Sequence, residues 1–232
     1  MGGALNFRAR LFDDELRIDA FANSAKIVAL KGRFAKRLAD LTLHLKDLQF
    51  AESCLKDLAR VHEQAKKDGT VEQNKVIIEA LWRSATVSFF KCFGSSGARG
   101  SISEKKVLRD QPIMRRFFKD MKHIRDKNIV HDENSMAVAM PGAIINEPGA
   151  QYRVEKIFSF TAIAGSLSPH NYYHLMELVR LSSAWVRSEL DELTVTIIKD
   201  LQTKSDAELM AMEDLRVKIA KAKEVAQTRE TL

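Results

Sequence analysis

The 232-residue sequence predicts an all-α protein, an up-and-down helical bundle with a small β-hairpin or loop insert. Three observations carry this. Apolar residues recur at three- and four-residue steps through four long stretches. The four prolines and ten glycines are few and clustered, which leaves long uninterrupted segments. Hydrophobic residues make up 45% and charged residues 29%, the balance of an ordinary globular domain. One helical domain over 1–232 is expected.

Residues 1–32 fit no single period, and one or two short helices are expected there, closed by Gly32. From Arg33 to Lys67 the helical repeat is regular: Phe34, Leu38, Leu41, Leu45, Leu48, Leu55 and Leu58. His44 and His62 read as surface or boundary positions of that helix. Asp68-Gly69 ends it, glycine being the common residue just past a helix terminus. Thr70-Val71-Glu72-Gln73 matches a capping box. The helix it opens should run to about Phe93, with Val76, Ile77, Leu81, Ala85, Phe89 and Cys92 inward and with Trp82 and Arg83 flanking them.

Gly94 to Ser101 is a loop by composition. It lacks the GK[ST] ending of a P-loop and follows a helix, so it does not bind nucleotide in that way. Ser103 is expected to cap a short helix to Arg109. Pro112 suits the first turn of the next helix, which should continue to about His131. Its expected core face is Ile113, Met114, Phe117, Phe118, Met121, Ile124 and Ile129. Together 33–135 form the helical part that precedes an insert at 136–165. There, short apolar or alternating runs punctuated by Pro141-Gly142 and Pro148-Gly149 read as a hairpin or ordered loop.

A long helix over 168–203 follows, with Ser168 as cap and Pro169 in its first turn. His170 and His174 share one of its faces, but no third ligand accompanies them and no metal is expected. Ser205-Asp206-Ala207-Glu208 is a second capping box, opening a charged C-terminal helix over 205–230. Cys54 and Cys92 read as buried free thiols, consistent with a reducing, cytoplasmic setting. No apolar run approaches the roughly 20 residues of a membrane span.

Charge is distributed unevenly. Between Arg99 and Lys127 there are ten basic residues and four acidic ones, an excess of six that equals the net charge of the chain. The remainder holds 27 of each sign. A focused positive region favours a polyanion, and phosphate contacts are its simplest use. Arg99, Arg115, Arg116, Lys119, Lys122 and Lys127 are the candidate RNA-contacting residues.

At the end of this window stands Arg125-Asp126-Lys127-Asn128-Ile129-Val130-His131. Histidine titrates near neutrality and can move protons at a ribose hydroxyl or a leaving oxygen. Arginine offers a fixed fork to phosphate and to charge developing in a transition state. On a straight helix the two residues lie about 120° apart and about 9 Å along the axis, so they do not share a face. Two copies meeting across a two-fold axis would bring two arginines and two histidines into one cleft.

The stretch resembles the R-x(4–6)-H signature of the HEPN superfamily, whose motif closes a late helix of a helical bundle. Arg-Asp-Lys-Asn-Ile-Val-His-Asp is particularly similar to HEPN proteins of the abortive-infection type. The resemblance implies a metal-independent endoribonuclease that needs no cofactor. It would act as a homodimer on RNA, as a toxin or antiphage effector, with an antitoxin or other regulatory protein as a further partner. Arg125 would bind phosphate, His131 would act as general acid or base, and Asp126 would orient one of them. The resemblance equally implies an alternative, since many HEPN members are non-catalytic modules that bind RNA or protein. Here Arg125 would pair with Asp132 or Glu133. The chain departs from the toxins of toxin–antitoxin pairs in lacking a tyrosine shortly after the histidine.

Overall fold

The computed structural model describes residues 9–12, 15–18, 26–94, 99–130 and 137–218. It is mostly helical. In chain order the elements are strands β1 (Ala9–Phe12) and β2 (Glu15–Ile18), then helices α1 (Arg33–Lys67), α2 (Lys75–Lys91), α3 (Glu104–Val107) and α4 (Pro112–Ile124). A π-helical turn (Arg125–Val130) continues α4. Strands β3 (Ala137–Ile145) and β4 (Val154–Ile163), helices α5 (Pro169–Gln202) and α6 (Asp206–Ala211) and strand β5 (Val217–Lys218) complete the chain. The chain divides into two compact units. One comprises Met1–Leu43, Ser95–Gly100 and Val186–Leu232, and the other His44–Gly94 and Ser101–Trp185.

In the first unit the N-terminal segment forms strands where short helices were expected. Antiparallel β1 and β2 pair in register from Ala9↔Ile18 to Phe12↔Glu15, and β5 pairs on the other side of β2. The third strand comes from some 200 residues downstream, so the segment has little local pattern of its own to read. The ion pair of Lys26 with Asp214, the bonds from Lys26 Nζ to the carbonyls of Met210 and Met212, and the bridge between Val28 and Asp214 hold both chain ends together. The expected 205–230 helix is therefore cut short. α6 opens with the Ser205–Glu208 capping box but ends at Ala211, where the backbone turns extended toward β5. The Ser205 backbone N–H, and then its hydroxyl, donate to Glu208 and lower its carboxyl pKa.

The second unit holds the larger core. Along α1 the buried positions His44, Leu48, Ala51, Leu55, Leu58 and Ala65 are spaced mainly by alternating steps of three and four, the seam pattern of packed helices. His44 is 1% exposed, inside that seam and not at its boundary. α2 begins later than the Thr70 capping box implies. Asn74 is its first cap, and its side-chain amide donates to the carbonyl and hydroxyl of Thr70, so the box does not form. Ala85, Phe89 and Cys92 are inward as expected, but the first turns differ. Ile78, Trp82, Ala85, Phe89 and Phe90 are buried, while Val76 is 79% and Ile77 50% exposed. The Trp82 indole N–H donates to the buried Ser166 hydroxyl at 2.9 Å.

α4 buries Met114, Phe118 and Met121, one narrow stripe at steps of four and three; Ile113 lies outside it and is exposed. Phe118 meets the rings of Phe89, Phe90 and Phe93 at centroid distances of 4.8–6.1 Å, which locks α4 onto α2. Before α5, Ser166 holds Trp82 and its carbonyl accepts from Asn171. The Ser168 hydroxyl accepts from the Asn171 N–H, as expected of a cap, and the Tyr172 hydroxyl donates to the Leu55 carbonyl of α1. Leu175, Leu178 and Val179 are fully buried below that point.

The insert is a hairpin: β3 and β4 pair antiparallel from Ala137↔Ile163 to Ile145↔Val154, with one register shift. Gly149 sits in the connecting turn at φ 95°, but Pro141-Gly142 lies inside β3 and not at a turn. Among the described residues no helix is long and apolar enough to cross a membrane. Cys54 and Cys92 are buried and form no disulfide, and burial together with Asp57 pushes the Cys54 thiol up.

Ser166→Ala leaves the buried Trp82 N–H without an acceptor and should cost about 1–3 kcal/mol in urea unfolding. An unchanged midpoint would show that Ser166 is not what holds the indole. Neither cysteine should react with a thiol reagent at neutral pH until the protein is denatured, when both should; rapid labelling of native protein would contradict the burial.

Candidate nucleic-acid interface

Arg125 terminates α4, its N–H bonding back to the carbonyls of Met121 and Lys122. Beyond it the chain neither stays α-helical nor unwinds. It widens to the i→i+5 pattern of a π-helix over Arg125–Val130. Such turns are rare and concentrate at functional sites. His131, the proposed acid–base residue, lies outside the described residues, as do Asp132 and Glu133.

Two contacts define the Arg125 side chain. Its guanidinium carbon lies 5.7 Å from the centroid of the Phe90 ring, within cation–π reach. Its Nε is 2.8 Å from Asp126 Oδ1. That Nε is shielded from water, yet its N–H is not aligned on the carboxylate, so the pair is an ion pair without a hydrogen bond. The side chain remains 25% exposed and Asp126 37% exposed. The guanidinium is thus fixed along one edge, by an aromatic face and a carboxylate.

Phe90 is a residue that sequence reasoning left out. It is 1% exposed, packed against Phe89 and Phe118, and it connects the aromatic core to the arginine. Its position one residue after Phe89 on a helix would ordinarily turn it away from a narrow core stripe. The α2 core is wide enough to take both, which no single periodic stripe indicates.

The candidate RNA-contacting residues separate into three groups. Arg116 and Lys119 are exposed on α4 opposite Met114, Phe118 and Met121, Lys122 is exposed beside that stripe, and Lys127 is exposed on the π-turn. Arg115 is not available in the same way. Its Nη2 donates to the carbonyls of Leu108 and Arg109, closing the turn after α3, and its Nε is buried without a hydrogen-bond partner. Arg99 belongs to the other compact unit.

Beside Arg116, Phe117 stacks on His174 with centroids 3.5 Å apart and planes 24° from parallel, and His170 adds a ring 4.2 Å from that of His174. His174 Nδ1 lies 2.6 Å from the His170 carbonyl, which places a proton on that nitrogen. The histidine pair is therefore engaged in a ring stack. Among the described residues no three His, Cys, Asp or Glu side chains group as a metal site. Pro112, Ile113, Arg116, Phe117, Asp120 and His170 line an open cleft of about 580 Å³ there.

Comparison of the chain with protein-family models, with curated proteins and with solved structures found no match.

If Phe90 positions the arginine, Phe90→Leu should keep most of the core volume but remove the ring beneath the guanidinium. An NMR spectrum of the arginine side chains should then show Arg125 shifted and exchanging faster with water, while the Trp82 indole signal stays in place. Both signals unchanged would mean that Asp126 alone holds the arginine.

Proposed function

We propose that the chain is a metal-independent endoribonuclease of HEPN type, working as a homodimer with Arg125 and His131 from two copies in one composite site. The observation that carries the reading is Arg125: a guanidinium braced by Phe90 and Asp126, at the mouth of a π-turn, next to four exposed cations. A phosphodiester is the anion that fits this arrangement. The cations of Arg116, Lys119, Lys122 and Lys127 would track the backbone, and Arg125 would fork onto the scissile phosphate.

In the reaction the ribose 2′-hydroxyl attacks phosphorus and the P–O5′ bond breaks. The product is a 2′,3′-cyclic phosphate and a 5′-hydroxyl. Arg125 stabilises the negative charge that builds on the phosphoryl oxygens, and His131 moves the proton at the 2′-hydroxyl or at the leaving oxygen. Asp126, already 2.8 Å from Arg125 Nε, orients the guanidinium. A toxin or antiphage role, and control by an antitoxin or another regulatory protein, belong to the same reading.

The Arg125–Asp126 pair also favours the second reading, a non-catalytic RNA- or protein-binding helical module. There the carboxylate serves to neutralise a structural arginine.

Incubation with RNA in EDTA separates the two. Under the enzyme reading the wild-type protein cleaves, and Arg125→Ala and His131→Ala each lower the rate on the order of 10²-fold or more. Cleavage that persists in both variants, or none by wild type, would exclude it. For either RNA reading, replacing Lys119 or Lys122 by Gln should weaken binding whatever the RNA sequence, and lower the log–log salt slope by about one per residue. Affinity indifferent to salt would remove the exposed face of α4 from the interface.

A further inference from the structure

The open cleft at the start of α4 holds two opposite charges that could meet and do not. Arg116 and Asp120 stand four residues apart on one helix, the spacing of an ion pair. Neither makes a salt bridge or a side-chain hydrogen bond among the described residues. Both are exposed, and both line the cleft of about 580 Å³.

An aromatic wall accompanies them. Phe117 is half-buried, and His170 stands edge-on to it with ring centroids 4.9 Å apart. His174 stacks on Phe117 but does not line the cleft, so the part of the Phe117 ring that reaches the cleft is turned away from that stack. The His170 ring nitrogens have no hydrogen-bond partner among the described residues. Ile113 adds an apolar edge and is 71% exposed.

A ligand that uses all of this is flat, carries an anion on one side and offers hydrogen-bond donors on another. A nucleotide within a strand has these three parts. Arg116 belongs to the row of cations assigned to the phosphate backbone, so the strand itself supplies the anion. Unpaired bases stack on aromatic side chains, histidine included, whatever their identity. Asp120 adds a choice. An ionised carboxylate only accepts hydrogen bonds. Guanine is the base whose Watson–Crick edge presents two adjacent donors, the ring N1–H and the 2-amino group. Adenine and cytosine place a ring acceptor beside their amino group, and uracil sets its one N–H between two carbonyls. Each of these would bring a lone pair against the carboxylate.

We propose that this cleft is a base pocket that takes one unpaired guanine of an RNA strand. The base stacks against Phe117 and His170, Asp120 accepts from its N1–H and 2-amino group, and Arg116 holds the adjoining phosphate. Such a pocket rests on the RNA reading of the α4 face, and it gives that face the sequence preference that phosphate contacts lack.

The test is fluorescence anisotropy with single-stranded 2′-fluoro RNA, whose sugars have no 2′-hydroxyl, so binding is read without cleavage. The probes are an oligouridylate and the same strand with one central guanine, adenine or cytosine. The wild-type protein should bind the guanine strand about tenfold more tightly than the other three. Asp120→Ala, at an exposed position, should erase that preference with helical circular dichroism retained. Phe117→Leu, which keeps an apolar side chain but removes the ring, should weaken the guanine strand by about tenfold. Equal affinity for all four strands, or a guanine preference that survives Asp120→Ala, would overturn the pocket. So would its saturation by free GMP at micromolar concentration, followed through the His170 ring signals in NMR, since that is a nucleotide site and not an RNA site. Failure of the underlying reading looks different: no strand of any sequence would bind. A guanine preference in a protein that cuts no RNA would retire the nuclease and keep the pocket, whereas cleavage without base preference would retire the pocket alone.

Discussion

The contact between Phe90 and Phe118 is the one on which the candidate site depends. Their centroids lie 5.2 Å apart, inside a cluster that also holds Phe89 and Phe93. Aromatic side chains bury more area than any others and prefer tilted or edge-on contacts, so this cluster fixes α4 against α2 in both spacing and rotation. The rotation decides which residues of α4 face water. With Met114, Phe118 and Met121 inward, Arg116, Lys119 and Lys122 have nowhere to go but out. The same Phe90 ring then receives Arg125 at the end of the helix. Core packing, basic surface and the arginine's position are thus one constraint, seen at three distances from the core.

The π-turn adds a second feature. The wider i→i+5 turn departs from the α-helical register immediately after the aromatic anchor. Arg125 therefore stands where the α-helix gives way to the π-turn. Functional groups are commonly placed at such junctions, where a rigid scaffold positions a backbone free to depart from it.

Much of this was legible from sequence, and the exceptions have physical causes. α1, α4 and α5 announce themselves because a buried stripe must recur at three and four residues. The hairpin shows in its alternation and in Pro148-Gly149. β1 and β2 do not, since part of their pairing is to β5 at the opposite end of the chain. On α2, Ala85, Phe89 and Cys92 are inward as expected, but the first turns are misjudged because apolar Val76 and Ile77 are exposed, and Trp82, with a polar tip, is buried and bonded to Ser166. His44 is taken for a boundary residue because its polarity conceals a seam position. At the site, Arg125 and Asp126 are evident as a motif, whereas Phe90 and the backbone-bound Arg115 become visible only once α2, α3 and α4 are packed.

The chemistry assigned to Arg125 and His131 is most directly examined through its nucleophile. An RNA oligonucleotide carrying one 2′-deoxy sugar immediately 5′ of a mapped cleavage point removes that nucleophile and nothing else. Attack by the 2′-hydroxyl requires that this bond survive while neighbouring sites are still cut, and that the normal product carry a 2′,3′-cyclic phosphate. Cutting at the deoxy position, or a 3′-hydroxyl product with a 5′-phosphate, would contradict it.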